Sequence, residues 1–215
     1  MRSYIVVGMG RFGSEVARQL HLQRCEVIAM DINADLIQQI SPYVTHAVTG
    51  DAQDKEVLRA LGVKDMDCAI IAIGDDLAAS VLVTMNMKEL GVPYVICKAH
   101  DATYRKVLEK LGADRVIIPE QEQAQRLAKS LSTPNVLDYI ELSDECGIIE
   151  MPVPEGWIGK DLRQLDIRAK LGVSILAIRR NNKVQASLSP DTAFLKADIL
   201  VVLGDNQALK KVQKL

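Results

Sequence analysis

Tyr4-Ile5-Val6-Val7-Gly8-Met9-Gly10-Arg11-Phe12-Gly13 is the stretch on which the reading of this chain turns. Four β-prone apolar residues run straight into a G-x-G-x-x-G, and helical spacing follows from Phe12 to Leu22. Alone, that glycine pattern is weak. Set between a strand and a helix, with Asp31 closing a second strand 21 residues after Gly10, it is a dinucleotide-binding fingerprint. Gly8 allows the tight turn. Gly10 lets the backbone approach a pyrophosphate at the helix N-terminus, whose free N–H groups and dipole favour anions. Gly13 lets helix and strand pack closely. Asp31 is placed to accept from a ribose 2′-hydroxyl and to repel a 2′-phosphate, which disfavours NADP.

Outward from that loop, apolar runs alternate with helix-period segments. Strands are expected at Tyr4–Gly8, Glu26–Met30, Thr45–Thr49, Ala69–Ile73, Tyr94–Cys97 and Arg115–Ile118. Their near-continuous apolarity is that of strands covered on both faces. Helices are expected at Phe12–Leu22, Ala34–Ile40, Lys55–Leu61, Leu77–Leu90 and Ala102–Leu111; Leu61-Gly62, Leu90-Gly91 and Leu111-Gly112 read as glycine stops. This predicts an α/β fold, a Rossmann-like doubly wound parallel sheet over residues 1–119. Residues 120–142 read as connector helices, a polar one over Glu120–Leu131 ending at Ser132-Thr133-Pro134 and a second over Val136–Leu142. Residues 143–215 read as a smaller α+β lobe with strands Ile148–Val153, Val173–Ile178, Lys183–Ser187 and Ile199–Leu203, a short helix Leu162–Leu165 and a hairpin turn at Asn181-Asn182.

Composition narrows the function. In 215 residues, 26 Lys and Arg face 28 Asp and Glu, a net charge of −2, and the basic pairs Arg179-Arg180 and Lys210-Lys211 are offset by acids. A phosphate backbone needs a concentrated basic face, so nucleic acid is not an expected partner. No run approaches the ~20 apolar residues that span a bilayer, and the strand-like start does not read as a signal segment. Cys25, Cys68, Cys97 and Cys146 are far apart in apolar runs. They read as buried core residues of a reduced, cytoplasmic protein.

Other candidates fall at the C-terminal ends of strands, where open α/β sheets bind ligands. Asp51 and Ala52 follow the third strand, Ile73 and Gly74 the fourth, and Lys98 the fifth. Asp75 and Asp101 sit where helix N-caps are expected. Arg11, beside the phosphates, has a fork suited to a terminal phosphate. Glu120, after Pro119 at the end of the sixth strand, could take Mg²⁺ or Ca²⁺ with a polyphosphate; an Arg11–Glu120 ion pair or two solvated charges is the alternative. His21, His46 and His100 join no His–carboxylate constellation, and no G-x-S-x-G, Y-x-x-x-K or P-loop occurs. A nucleotide binder without chemistry is the expected class. The uncharged Leu77–Met87 segment, with Leu77, Val81, Leu82 and Met85, and the stripe Tyr104, Val107, Leu108 and Leu111 suggest packing on the sheet or a subunit contact.

The blocks Gly8–Gly13, Met30-Asp31-Ile32-Asn33, Gly50-Asp51-Ala52, Ala72-Ile73-Gly74-Asp75 and Gly112-Ala113-Asp114 resemble the RCK (regulator of K⁺ conductance) nucleotide-binding domain. Leu165–Arg168, Val173–Arg180 and Leu195–Gly204 are similar to its C-terminal domain. The nearest resemblance is to regulatory subunits of Ktr-type potassium-uptake systems. It implies a cytoplasmic regulator, peripheral on the membrane through a membrane-embedded transporter subunit, with homodimers assembling into an octameric ring. It implies ATP or ADP, alternatively NAD or NADH, at the glycine-loop site, with Phe12, Ile32 and Asn33 among the contacts. Arg11 would reach a terminal phosphate from the adjoining subunit, and Glu120 would join a divalent cation with ATP. In some relatives the C-terminal lobes pair around cyclic di-AMP; the matching positions are Arg168, Ala169, Ile175 and Pro190. A residue that is Asn in those relatives is Ser174 here, a departure from their pattern. A Trk-type NAD(H) sensor and a small NAD-dependent oxidoreductase stand as the alternatives.

Overall fold

The computed structural model describes residues 2–74, 76–132, 137–143 and 145–215. The expected N-cap Asp75 and the expected helix stop at Thr133-Pro134 lie outside them. The chain divides into two units, Met1–Pro119 and Glu120–Leu215.

The first unit is a six-stranded parallel sheet in the order β3-β2-β1-β4-β5-β6. Its strands are β1 (Ser3–Val7), β2 (Glu26–Asp31), β3 (His46–Thr49), β4 (Cys68–Ile71), β5 (Val95–Lys98) and β6 (Arg115–Ile117). The helices between them are α1 (Arg11–Leu22), α2 (Ala34–Ile40), α3 (Lys55–Ala60), α4 (Leu77–Glu89) and α5 (Ala102–Lys110). The order reverses between β1 and β4. Because β1 is paired on both sides, Ile5, Val6 and Val7 are buried and alternate between two apolar clusters on opposite faces of the sheet. Helices α3, α4 and α5 end at Leu61, Leu90 and Leu111, and the following Gly62, Gly91 and Gly112 take left-handed φ of 68, 85 and 95°. Those glycine stops are where the sequence puts them.

The second unit opens with α6 (Pro119–Ser132); proline at a helix start loses no intrahelical bond there. A five-stranded antiparallel sheet follows, ordered β10-β9-β11-β8-β7, with β7 (Asp138–Glu141), β8 (Cys146–Pro152), β9 (Ser174–Arg180), β10 (Lys183–Gln185) and β11 (Ile199–Asp205). Helices α7 (Leu162–Leu165), α8 (Ile167–Leu171) and α9 (Asn206–Val212) complete it. Asn181 and Asn182 turn β9 into β10 with φ of 50 and 64°, the pair of positive values such a hairpin needs.

Two expectations need correction, and two short helices were not anticipated. The second connector helix, Val136–Leu142, is not formed: Asp138–Glu141 is an edge strand against β8, and Val136 lies outside the described residues. Tyr139 packs on the core while Ile140 is exposed, a period of two that pairing with β8 imposes over helical propensity. Helices α8 and α9, with five and seven residues, are too short to show a period in sequence. Cys68 and Cys97 are buried, but Cys25 and Cys146 are only half-buried. Burial pushes the Cys68 and Cys97 thiols up to about 11.

Candidate functional site

The glycine loop is shaped by its neighbours more than by itself. Gly8 has φ +94°, and a Cβ there would stand 3.0 Å from the Ala72 carbonyl group. A Cβ on Gly13 would stand 1.9 Å from the Gly8 carbonyl oxygen, which no side chain can do. Gly10 is different: its φ is −66° and nothing lies within 4 Å of a Cβ built on it. Its missing side chain leaves open space beside the N-terminus of α1. That terminus has no side-chain cap and no acidic residue in its first turn. Its free N–H groups therefore face a space suited to an anion.

Asp31, half-buried at the end of β2, is already engaged. One carboxylate oxygen accepts from Met9 N at 2.6 Å, the other from Asn33 N at 2.8 Å. Asn33 in turn caps α2 by accepting from Asp35 N. The acid therefore fixes the loop and the start of α2 together, and its remaining lone pairs stay available to a hydroxyl.

These elements enclose a cleft of about 470 Å³ along the C-terminal ends of the strands. Gly8, Gly10, Asp31, Ile32, Asp51, Ala52, Ile73 and Gly74 line it. Eight of the residues singled out in sequence thus meet in one place. Asp51 accepts from Gln53 N, and the Gln53 carbonyl accepts from Asn86 Nδ2 of α4, both at 2.9 Å. Lys98 ends β5, its Nζ 3.4 Å from where a Gly74 Cβ would stand. Phe12 and Gly13 lie within α1, and Asn33 serves as a cap. Arg11, exposed in the first turn, lines a neighbouring groove.

Leu36, Gln53, Asp76 and Ala79 also line the cleft and were not foreseen. Asp76 caps α4 by accepting from Ala79 N; an acid directly before Leu77 is the sequence signal for it. Leu36 and Ala79 are ordinary helix residues, and only the packing of their helices brings them here. Among the described residues, no His, Lys, Tyr, Cys or Ser lines the cleft.

In the second unit, Glu120 stands in the first turn of α6 and not at a strand end as expected. Arg168 and Ala169 are exposed on α8; Ser174 and Ile175 are half-buried where β9 begins. The Pro190 carbonyl accepts from Arg163 N. Among the described residues, no group of three or more His, Cys, Asp or Glu could hold a metal ion, and no helix is long and apolar enough to cross a membrane.

Comparison with known proteins completes the description. Residues 4–119 match the TrkA-N domain and residues 148–215 the TrkA-C domain. The chain is 39% identical over 213 residues to Ktr system potassium uptake protein C of Bacillus subtilis, covering 99% of this chain and 96% of that protein. It is 38% identical to Ktr system potassium uptake protein A of the same organism, with the same coverage of both, and 32% identical to the Vibrio alginolyticus protein A, covering 97% and 94%. The GsuK RCK domain superposes with a TM-score of 0.70 at 20% identity, over 100% of this chain and 47% of that one, a likeness of fold.

Proposed function

This chain belongs to the TrkA-N/TrkA-C, or RCK, family, and from that premise we propose that it is the cytosolic nucleotide-binding regulatory subunit of a Ktr-type potassium-uptake system. The observation that carries the reading is the cleft beside the glycine loop. It offers carboxylates and open helix N–H groups to a nucleotide, with no His, Lys, Tyr, Cys or Ser among the described residues that line it. Similarity to Ktr uptake proteins over 99% of the chain, at 39% and 38% identity, supports the setting.

On this reading the adenosine lies over β2 and β3. Asp31 accepts from the ribose, Ile32 (73% exposed) covers the base on one side, and Ala52 supports it on the other. The diphosphate meets the N-terminus of α1 at Gly10. ATP and ADP compete there, Arg11 reads the terminal phosphate, and no bond is made or broken. Glu120 alone is no metal site; Mg²⁺ bound by one carboxylate and phosphate oxygens is its usual manner of binding, so the cation would arrive with ATP. Subunits pair and close into an octameric ring on a membrane-embedded potassium transporter subunit, which holds the protein at the inner face of the membrane.

A ligand shifts such a ring only by the difference in its affinity for two shapes. Roughly thirtyfold discrimination is about 2 kcal/mol, within reach of one charge-assisted contact. Transport assayed in vesicles holding the membrane subunit should rise with ATP over ADP. Arg11→Ala should keep nucleotide binding and lose that preference; unchanged ATP activation would refute the role of Arg11. Titrating the purified protein with ATP, ADP, NADH and cyclic di-AMP separates this account from the NAD(H)-sensing one. Turnover of NAD(H) with any substrate would revive the oxidoreductase.

A further inference from the structure

We propose that Ser80, buried on the inner face of α4, is a positioning residue of the nucleotide cleft: it turns the Ile73–Gly74 peptide so that the Gly74 N–H is presented to the bound diphosphate. The inference rests on the nucleotide reading above and extends it to a residue that does not itself line the cleft.

Among the described residues of the first unit, the buried polar side chains are Ser80 and Thr84, a helical turn apart on α4. Burying a hydroxyl is unfavourable unless its hydrogen bonds are made, and here they are made in one chain. Thr84 Oγ1 donates to the Ser80 carbonyl at 2.6 Å and lies 3.2 Å from Cys97 Sγ on β5. A hydroxyl has one proton. Thr84 gives it to Ser80, so the Cys97 thiol is the donor in the second contact. Thr84 thus makes the bond usual for a helical hydroxyl, to the carbonyl four residues back. Ser80 does not. The Asp76 carbonyl, four residues back, takes the Ser80 N–H, and Ser80 Oγ reaches outside its helix to donate to the Ile73 carbonyl at 2.9 Å.

Ile73 and Gly74 line the cleft just beyond β4. A trans peptide is planar, so its N–H points opposite to its carbonyl. With the Ile73 carbonyl held against α4 on one face of the sheet, the Gly74 N–H points toward the other face, which carries α1. Among the described residues no acceptor meets it. That is the side on which the open N-terminus of α1 meets the diphosphate, so the two sets of donors converge. A peptide released from Ser80 is free to turn its carbonyl oxygen toward the same phosphates, which repel it.

The test titrates full-length protein with ADP by calorimetry and follows the Gly74 amide by NMR. Labelling with ¹⁵N-glycine limits the spectrum to 13 glycines, and loss of one signal in Gly74→Ala assigns it. ADP should move that signal downfield in the wild type. Ser80→Ala should weaken ADP binding roughly tenfold and shrink the movement by about half or more. Where Ser80→Ala does not fold, Ser80→Cys puts a weak donor in the same place and should weaken binding several-fold in the same way. Wild-type affinity in the folded variant would overturn the proposal. Weakened binding with the full amide movement would overturn it too, because a purely structural loss leaves that contact intact. A wild type that binds no ADP would overturn the nucleotide reading and this inference with it; that result precedes any variant, so the two failures stay distinct.

Discussion

The two units treat their carboxylates in opposite ways. In the first, Asp31, Asp51 and Asp76 stand around the cleft, each accepting from backbone N–H groups nearby, and among the described residues no cation lines it. In the second, Asp198 is sealed in, its side chain 0% exposed. It accepts from Arg180 Nε and Nη2, both at 2.7 Å, and from Leu195 N at 2.8 Å. Those Arg180 bonds hold its carboxyl below the usual carboxylate range. One unit leaves acceptors free where a ligand can use them. The other spends Asp198 on Arg180 and the Leu195 N–H to close its core. Charge in the first should therefore govern binding, and charge in the second should govern folding.

Backbone sets the largest expected effect, and it separates shape from charge within the first unit. Gly13→Val drives a side chain into the Gly8 carbonyl and should cost about 4 kcal/mol, with nucleotide binding lost. Gly10→Ala meets no atom, so urea unfolding should match the wild type while ADP affinity falls about tenfold. Equal destabilisation by the two would show that Gly10 is held for packing and would remove the main support for a phosphate site there.

Arg180→Leu tests the other side of the contrast. It leaves Asp198 buried and unpaired, a loss of about 3 kcal/mol, which should melt the second unit first and leave ADP binding by the first intact. Acid should do the same more gently. The folded pKa of Asp198 is depressed, so the stability it lends is present above the unfolded value near 4 and is lost as pH falls through 4 toward the lower folded value. Circular dichroism against pH should show loss of the second unit beginning below about pH 4. Asp198→Asn should flatten that slope; an unchanged acid limb would place the sensitivity elsewhere.

How far the sequence anticipates the structure follows the same divide. In the first unit β1, β2 and β3 run out at Gly8, Asp31 and Gly50, and continuous apolarity marks burial on both faces, so a parallel sheet and its cleft could be read together. In the second, β7 exposes Ile140 and is flanked by the exposed Leu137 and Leu142, and only hydrogen bonding to β8 makes it a strand. The Arg180–Asp198 pair was invisible because antiparallel register, Ile199 against Arg179 and Leu200 against Ile178, brings together residues 18 apart in sequence. Leu36 and Gln53 reach the cleft through helix and loop packing that no local pattern encodes. The roles of Asp31 and Asp51 as backbone acceptors were likewise hidden behind their expected role toward a ligand.

The smallest effect probes the join between cleft and helix. Asn86, on α4, donates to the Gln53 carbonyl at 2.9 Å, an exposed bond worth about 0.5–1 kcal/mol. Lys55 and Glu89 form a second link between α3 and α4. If the Asp51–Gln53 turn is shaped for a base and held from α4, Asn86→Ala should lower ADP affinity two- to threefold while Tm moves by no more than a few degrees. If only the fold depends on that bond, Tm should fall and affinity should not. The same α4 exposes Leu82 and Met85, 47% and 39% accessible. A helix tied to the cleft at its Asp76 cap and again at Asn86 is the element through which occupancy of the site can alter an outward-facing apolar surface. Hydrogen exchange along α4 with and without ADP would register that coupling, and in Asn86→Ala the ADP-induced protection should shrink toward the Asp76 end.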